Sequence, residues 1–131
     1  MRRHWNLLAV AALAAMATLA RGDEGAKPAP VPAYATGVTF SKLLENDKVT
    51  VLRVGIEPGG REAPHSHTFD LVTVALTPAT MEIVRGGETS RVERAVGDVA
   101  FVPKGTVHGS RNLGQGRVEV IAIALNEGAH Q

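Results

Sequence analysis

Along residues 49–57 apolar and polar positions alternate: Thr50, Leu52, Val54 and Ile56 fall on one face and Val49, Val51 and Arg53 on the other. A period of two with β-branched side chains predicts a strand, and Pro58-Gly59-Gly60 predicts its end. Residues 71–77 read as a second strand, closed by Pro78. Residues 81–85 and 88–94 flank Gly86-Gly87, the plainest hairpin signal in the chain. Residues 99–102 form a short apolar run between Gly97-Asp98 and Pro103. Residues 117–125 begin half-polar, with Arg117 and Glu119, and then turn apolar on both faces, which predicts a central strand. No amphipathic pattern longer than two helical turns follows residue 40. Many short strands at close spacing predict an all-β sandwich or barrel.

The N-terminal part follows other rules. A positively charged start, Met1 to Asn6, precedes a run from Leu7 to Ala20 that is apolar apart from Thr18 and ends in small residues. This is the pattern of a secretory signal peptide over residues 1–20, cleaved after Ala20. Its fourteen residues fall short of the roughly twenty that a spanning helix needs, so no stable membrane anchor is expected after cleavage. The mature protein is expected to be exported, to the periplasm or the medium. Residues 21–37 are polar and proline-rich and read as a flexible arm. The barrel is expected over residues 38–126, with a C-terminal tail at 127–131.

Composition narrows the chemistry. About 110 residues after the leader suffice for one domain with one core. The 14 Lys and Arg nearly balance the 13 Asp and Glu, and loss of Arg2 and Arg3 with the leader leaves 12 against 13, a net of −1. Neither balance favours nucleic acid. Cysteine is absent, so disulfides and thiolate metal sites are excluded, and any metal must be held by nitrogen and oxygen.

Of five histidines, His4 lies in the leader and His130 in the tail. The others are His65, His67 and His108. On a strand, residues i and i+2 share a face, so His65 and His67 can aim at one point. By itself His-x-His is more often an exposed pair, and a lone histidine such as His108 is more often a hydrogen-bonded structural residue.

The surrounding spacing changes that balance. Gly97-x5-Pro103-x-Gly105-x2-His108-x3-Asn112 resembles the second motif of the cupin superfamily position for position, and Gly59-Gly60 before Pro64-His65-Ser66-His67 resembles the first. The resemblance covers roughly residues 40–125. It implies a small jelly-roll barrel with the two motifs on adjacent strands, turns at Gly97-Asp98 and Pro103-Gly105, and a divalent transition metal on His65, His67 and His108. The family's acidic ligand would stand three or four residues after His67, where this chain has Leu71 or Val72. Asp70 comes one position early and would need a β-bulge to reach the metal, so it is the open fourth member.

A site of three neutral imidazoles suits Fe or Zn first, with Ni, Cu and Mn also within its range. Ser66, Thr68, Asp70 and Asn112 are candidates to orient the ligands. Two classes of function fit: a small metalloenzyme of the oxygenase, isomerase or lyase kind acting on a small polar or anionic molecule, or a non-catalytic module that binds a metal or small ligand. Arg53, Thr73, Glu82 and Asp70 are the candidate acid–base groups, and Phe69 and Phe101 could wall the site. The resemblance also implies a homodimer, to which the N-terminal arm could contribute by crossing to a partner.

Overall fold

Alternation of side chains along each strand becomes one curled antiparallel sheet. The computed structural model describes residues 25–126. Its strands are β1 (Lys27–Pro28), β2 (Ala35–Glu45), β3 (Val49–His65), β4 (Asp70–Ala75), β5 (Ala79–Arg85), β6 (Glu88–Arg94), β7 (Val99–Val102), β8 (His108–Asn112) and β9 (Val118–Leu125). There is no helix among the described residues. The expected leader at 1–20 and the tail at 127–131 lie outside them.

The longest strand organises the rest. Along one edge of β3 runs β2. The other edge is divided: β9 pairs with Val49 to Ile56, and β8 pairs with Arg61 to His65. β3 therefore belongs to two wings, β6-β5-β8-β3 and β3-β9-β4-β7, which curl toward each other to form the jelly-roll barrel. The wings part at Pro58-Gly59-Gly60, where the sequence predicted a strand end. Instead the chain bends there, with Gly59 at φ 75°, and stays extended. Residues 57–60 are unpaired in all three ladders, so the missing N–H of Pro58 costs no ladder bond.

The other predicted strands appear with small shifts of boundary. Gly86 and Gly87, both at positive φ (57° and 83°), make the two-residue turn between β5 and β6, with Arg85 opposite Glu88. β9 lies between β3 and β4, as its two apolar faces require. Its Val118, Val120, Ala122 and Ala124 face the barrel interior with Leu52, Val54 and Ile56 of β3. Val38, Val54, Ile56, Ala79, Met81 and Val118 form the buried core. Each such Val, Ile or Met contributes about 1.5–3 kcal/mol when it leaves water.

One end of the barrel is closed by Asn112, which is 1% exposed. Its amide donates to the carbonyls of Ile56 (3.1 Å) and Gly116 (2.9 Å), and its oxygen accepts the Gly114 N–H (2.9 Å). Beyond the core the interior widens into a cavity of about 380 Å³.

The described part of the proline-rich arm is largely exposed, as expected, and it lies along the barrel. β1 pairs with β2, Lys27 opposite Lys42 and Pro28 opposite Ser41, and the Ala29 N–H donates to Phe40 O at 2.9 Å. β2 has an edge that β3 does not cover, and an unpaired edge is satisfied by whatever chain can lie along it.

Candidate metal centre

The site is assembled where β3 ends and β8 begins. His65 and His108 stand directly opposite in the antiparallel register. One pairing earlier, Glu62 faces Ser110, so three steps along β3 match two along β8. This is a β-bulge, and it changes which side chains share a face. Gly109 permits it: a Cβ there would lie 2.8 Å from Glu62 O and 3.1 Å from Pro64 N, closer than a side chain tolerates. As a result Glu62 and His65, three residues apart, both line the cavity.

His67 follows just beyond β3. The Pro103–Gly105 turn is tied to its segment twice, by Gly105 N–H to His67 O (2.8 Å) and by Lys104 N–H to Asp70 Oδ1 (2.9 Å). Those two bonds fix the loop that delivers His108 relative to the loop that carries His67. The ring centroids of His65 and His108 are then 4.4 Å apart, and those of His67 and His108 5.2 Å. One ligand atom from each of the three imidazoles lies within 4.8 Å of the others.

Neighbours set the ring orientations. Nδ1 of His65 is 2.7 Å from Ala63 O, which places the ring's proton there and leaves the Nε2 lone pair facing the site. Tyr34 stacks on His65 at 3.7 Å and 8°, and Phe69 stacks on His67 at 4.7 Å and 17°. Nε2 of His65 is 3.1 Å from Nε2 of His67. Two lone pairs that close repel, and either a proton or a shared cation resolves the contact. Nε2 of His108 is buried and has no hydrogen-bond partner.

The electrostatics favour the neutral form of His67 and His108. Burial, then the neighbouring His65, His67 and Arg85, pulls the His108 pKa down to about 4. His67 is lowered too, by burial first and then by His65. Neutral imidazoles at pH 7 offer lone pairs to a cation. Three nitrogen donors, one of them an orphaned buried atom, fit a divalent first-row ion bound by His65, His67 and His108.

Other expected site residues are placed differently. Asp70 accepts from the Lys104 backbone and is outside the group of converging ligand atoms, because regular alternation in β4 directs it to the turn. Asn112 occupies the end of β8 opposite to His108, where it closes the core rather than orienting a ligand. The orienting partner that the structure does show is the Ala63 carbonyl. Arg53 lies 3.8 Å from Glu119, and neither it nor Glu82 lines the cavity, whereas Thr73 does. Phe69 walls the site, while Phe101 is 49% exposed.

Three cavity residues escaped the sequence reading. Tyr34 lies in the segment read as a loose arm. Arg85 stands opposite His108, and its guanidinium donates to Phe101 O across the opening. Glu62 is a half-buried carboxyl whose pKa is raised by desolvation, against the pull of His65. Its only warning in the sequence is an acid three positions before His65.

Comparison with known proteins agrees with this geometry. The cupin domain family's sequence model matches residues 52–124. No curated protein matches the sequence. Among solved structures, a cupin domain from Bordetella pertussis Tohama I is 21% identical, with a TM-score of 0.63 over 68% of this chain and 93% of its own. The polyketide cyclase RemF from Streptomyces resistomycificus is 22% identical, with a TM-score of 0.68 over 79% of this chain and 75% of its own. A predicted oxalate decarboxylase from Thermotoga maritima is 21% identical, with a TM-score of 0.66 over 81% of this chain and 96% of its own. At these identities the likeness concerns the fold. With more than half of its length matched by the family model and both histidine segments joined at one end of the barrel, the chain belongs to the cupin domain family.

Proposed function

We propose that this protein is an exported metal-dependent cupin. It holds one divalent transition ion, Fe or Zn before Ni, Cu or Mn, on His65, His67 and His108, and acts on a small molecule that enters the barrel. The observation that carries this reading is the convergence of three imidazoles, one with an orphaned buried nitrogen, at one end of a cavity of about 380 Å³. A bound ion there supplies Lewis acidity and lowers the pKa of a bound water. The chain supplies the rest of the site. Leu52, Val54, Leu71 and Val120 make an aliphatic wall that excludes water, Thr73 offers a hydroxyl, and Arg85 offers a fixed positive charge beside His108.

That lining refines the ligand class. The molecule carries a polar or anionic group for the ion and Arg85, and an apolar body for the barrel. An oxygenase, isomerase or lyase reaction fits such a centre. The aliphatic lining also favours a second reading, capture without turnover. Elemental analysis of protein recovered from its own host tests the metal: about one ion per chain is expected, and equal substoichiometric content in wild type, His65→Ala and His108→Ala rejects it. N-terminal sequencing of the same material tests export, with Arg21 expected as the first residue.

For a macromolecular partner, we propose a second copy of this chain. Val72, Val74, Val99, Phe101, Ile121 and Ile123 stand opposite one another on the outer face of β4, β7 and β9, and Val99 and Phe101 are 64% and 49% exposed. A continuous apolar strip of this kind is self-complementary across a two-fold axis. The described part of the arm lies on its own barrel, so the sheet face is the better candidate for the contact. Light scattering that gives a monomeric mass at micromolar concentration would sink this proposal.

A further inference from the structure

The position of the family acid after His67 is held by Leu71 or Val72, and Asp70 is engaged with the Lys104 backbone. An acid nevertheless reaches the centre from the opposite direction. Glu62 and His65 are three residues apart, and regular alternation would place them on opposite faces of β3. The bulge between them, accommodated by Gly109, places both on the inner face. The Glu62 carboxylate is 3.7 Å from Nε2 of His65, and its side chain is 17% exposed. Among the described residues it accepts no hydrogen bond and pairs with no Lys or Arg. A carboxylate largely removed from water, with no partner beyond the His65 ring, is better accommodated when a cation stands beside it.

We infer that Glu62 is the fourth ligand of the metal centre, an acid delivered by a β-bulge upstream of the two histidines instead of by the strand after them. The inference rests on the three-histidine reading above. Glu62, like Asp70, is outside the group of ligand atoms within 4.8 Å of one another, but it lines the cavity beside His65, so reaching the ion requires its side chain to move toward the imidazoles. Once there, it adds an oxygen donor and cancels one of the ion's two charges. That shifts the preference of the site from Zn and Cu toward the harder Fe and Mn. It also explains a local departure from regular pairing that costs ladder bonds and requires a glycine on the facing strand.

Cobalt(II) titration of the mature chain tests this, with wild type and Glu62→Gln compared by competition with a chelator and by visible absorption. Wild type should take about one Co²⁺ per chain. Glu62→Gln should bind about a hundredfold more weakly, with a changed d–d spectrum. Its metal-free thermal midpoint should hold or rise, because the neutral amide of the same shape is easier to cover than a carboxylate, whereas a merely structural Glu62 would make it fall. A crystal structure of Co²⁺-loaded wild type needs no variant and should place a Glu62 oxygen within about 2.2 Å of the ion. Equal affinities with superimposable spectra, or a Glu62 oxygen held away from the ion by an intervening water, would overturn the inference and leave the three-histidine centre standing. Failure of wild type to bind Co²⁺ stoichiometrically would overturn both.

Discussion

The two halves of β3 do opposite things with the same backbone. From Val49 to Ile56 the strand pairs with β9 through eight consecutive residues without a slip. From Arg61 to His65 it pairs with β8 through three, with a bulge among them. The regular half buries Val54 and Ile56 in the core, at 6% and 4% exposure. The irregular half aims Glu62 and His65 into the cavity. Regular pairing repeats one orientation and so builds a wall, whereas a centre needs side chains from non-alternating positions to converge. The bend at Pro58-Gly59-Gly60 keeps the two tasks apart.

That separation can be broken experimentally, beginning with the largest effect. Ile56→Ala should lower the free energy of unfolding in urea by about 2–5 kcal/mol, while the metal affinity of the folded fraction stays within about twofold. A parallel fall in affinity would mean that the halves are not independent. His108→Ala should do the converse. Metal affinity should drop by more than about a hundredfold, with metal-free stability changing by no more than about 1 kcal/mol, since an orphaned buried nitrogen leaves with the ring.

Asp70→Ala should cost about 1 kcal/mol through the lost Lys104 bond. Its effect on metal affinity should stay below about tenfold, and a larger loss would return Asp70 to the ligand set. The remaining effect is on acid stability. In the unfolded chain His108 takes up a proton as pH falls below its ordinary 6.5, while in the fold it resists protonation down to about 4. The unfolded state then holds more protons, so metal-free stability should fall as pH drops from 6.5 to 4, and His67 acts in the same direction. Glu62 opposes this: with its pKa raised, the fold keeps its proton longer, a contribution lost as pH rises through the raised value. Urea unfolding between pH 4 and 7 should therefore show a steeper acid-side loss in Glu62→Gln than in wild type. Matching slopes would count against burial of that carboxyl.

Much of this arrangement was legible in the residues. The alternation of Leu52, Val54 and Ile56, the turn at Gly86-Gly87 and the two apolar faces of residues 120–125 are local signals, and each produced its strand. The spacing from Gly97 to His108 was legible through its resemblance to the family motif, whose glycines and proline fit the turns observed at Gly97-Asp98 and Pro103-Gly105. Glu62 and Tyr34 were not. A bulge is defined by the strand opposite, so nothing within residues 61–65 announces that Glu62 shares a face with His65. Tyr34 lies in a proline-rich stretch that has no periodicity of its own and takes its place because its carbonyl accepts the Ala63 N–H of β3 at 2.8 Å.

By itself, then, the sequence determined an all-β chain and six of its nine described strands, while the family resemblance joined His65, His67 and His108. The strands follow from side-chain period and turn chemistry, which act over a few residues. Tertiary structure alone decided that β3 runs on through Pro58, that Asp70 serves a turn, and that Glu62 is the acid beside the imidazoles. Each of those outcomes depends on register between segments tens of residues apart, as in the pairing of Glu62 with Ser110 and of His65 with His108. Register is a property of two strands at once.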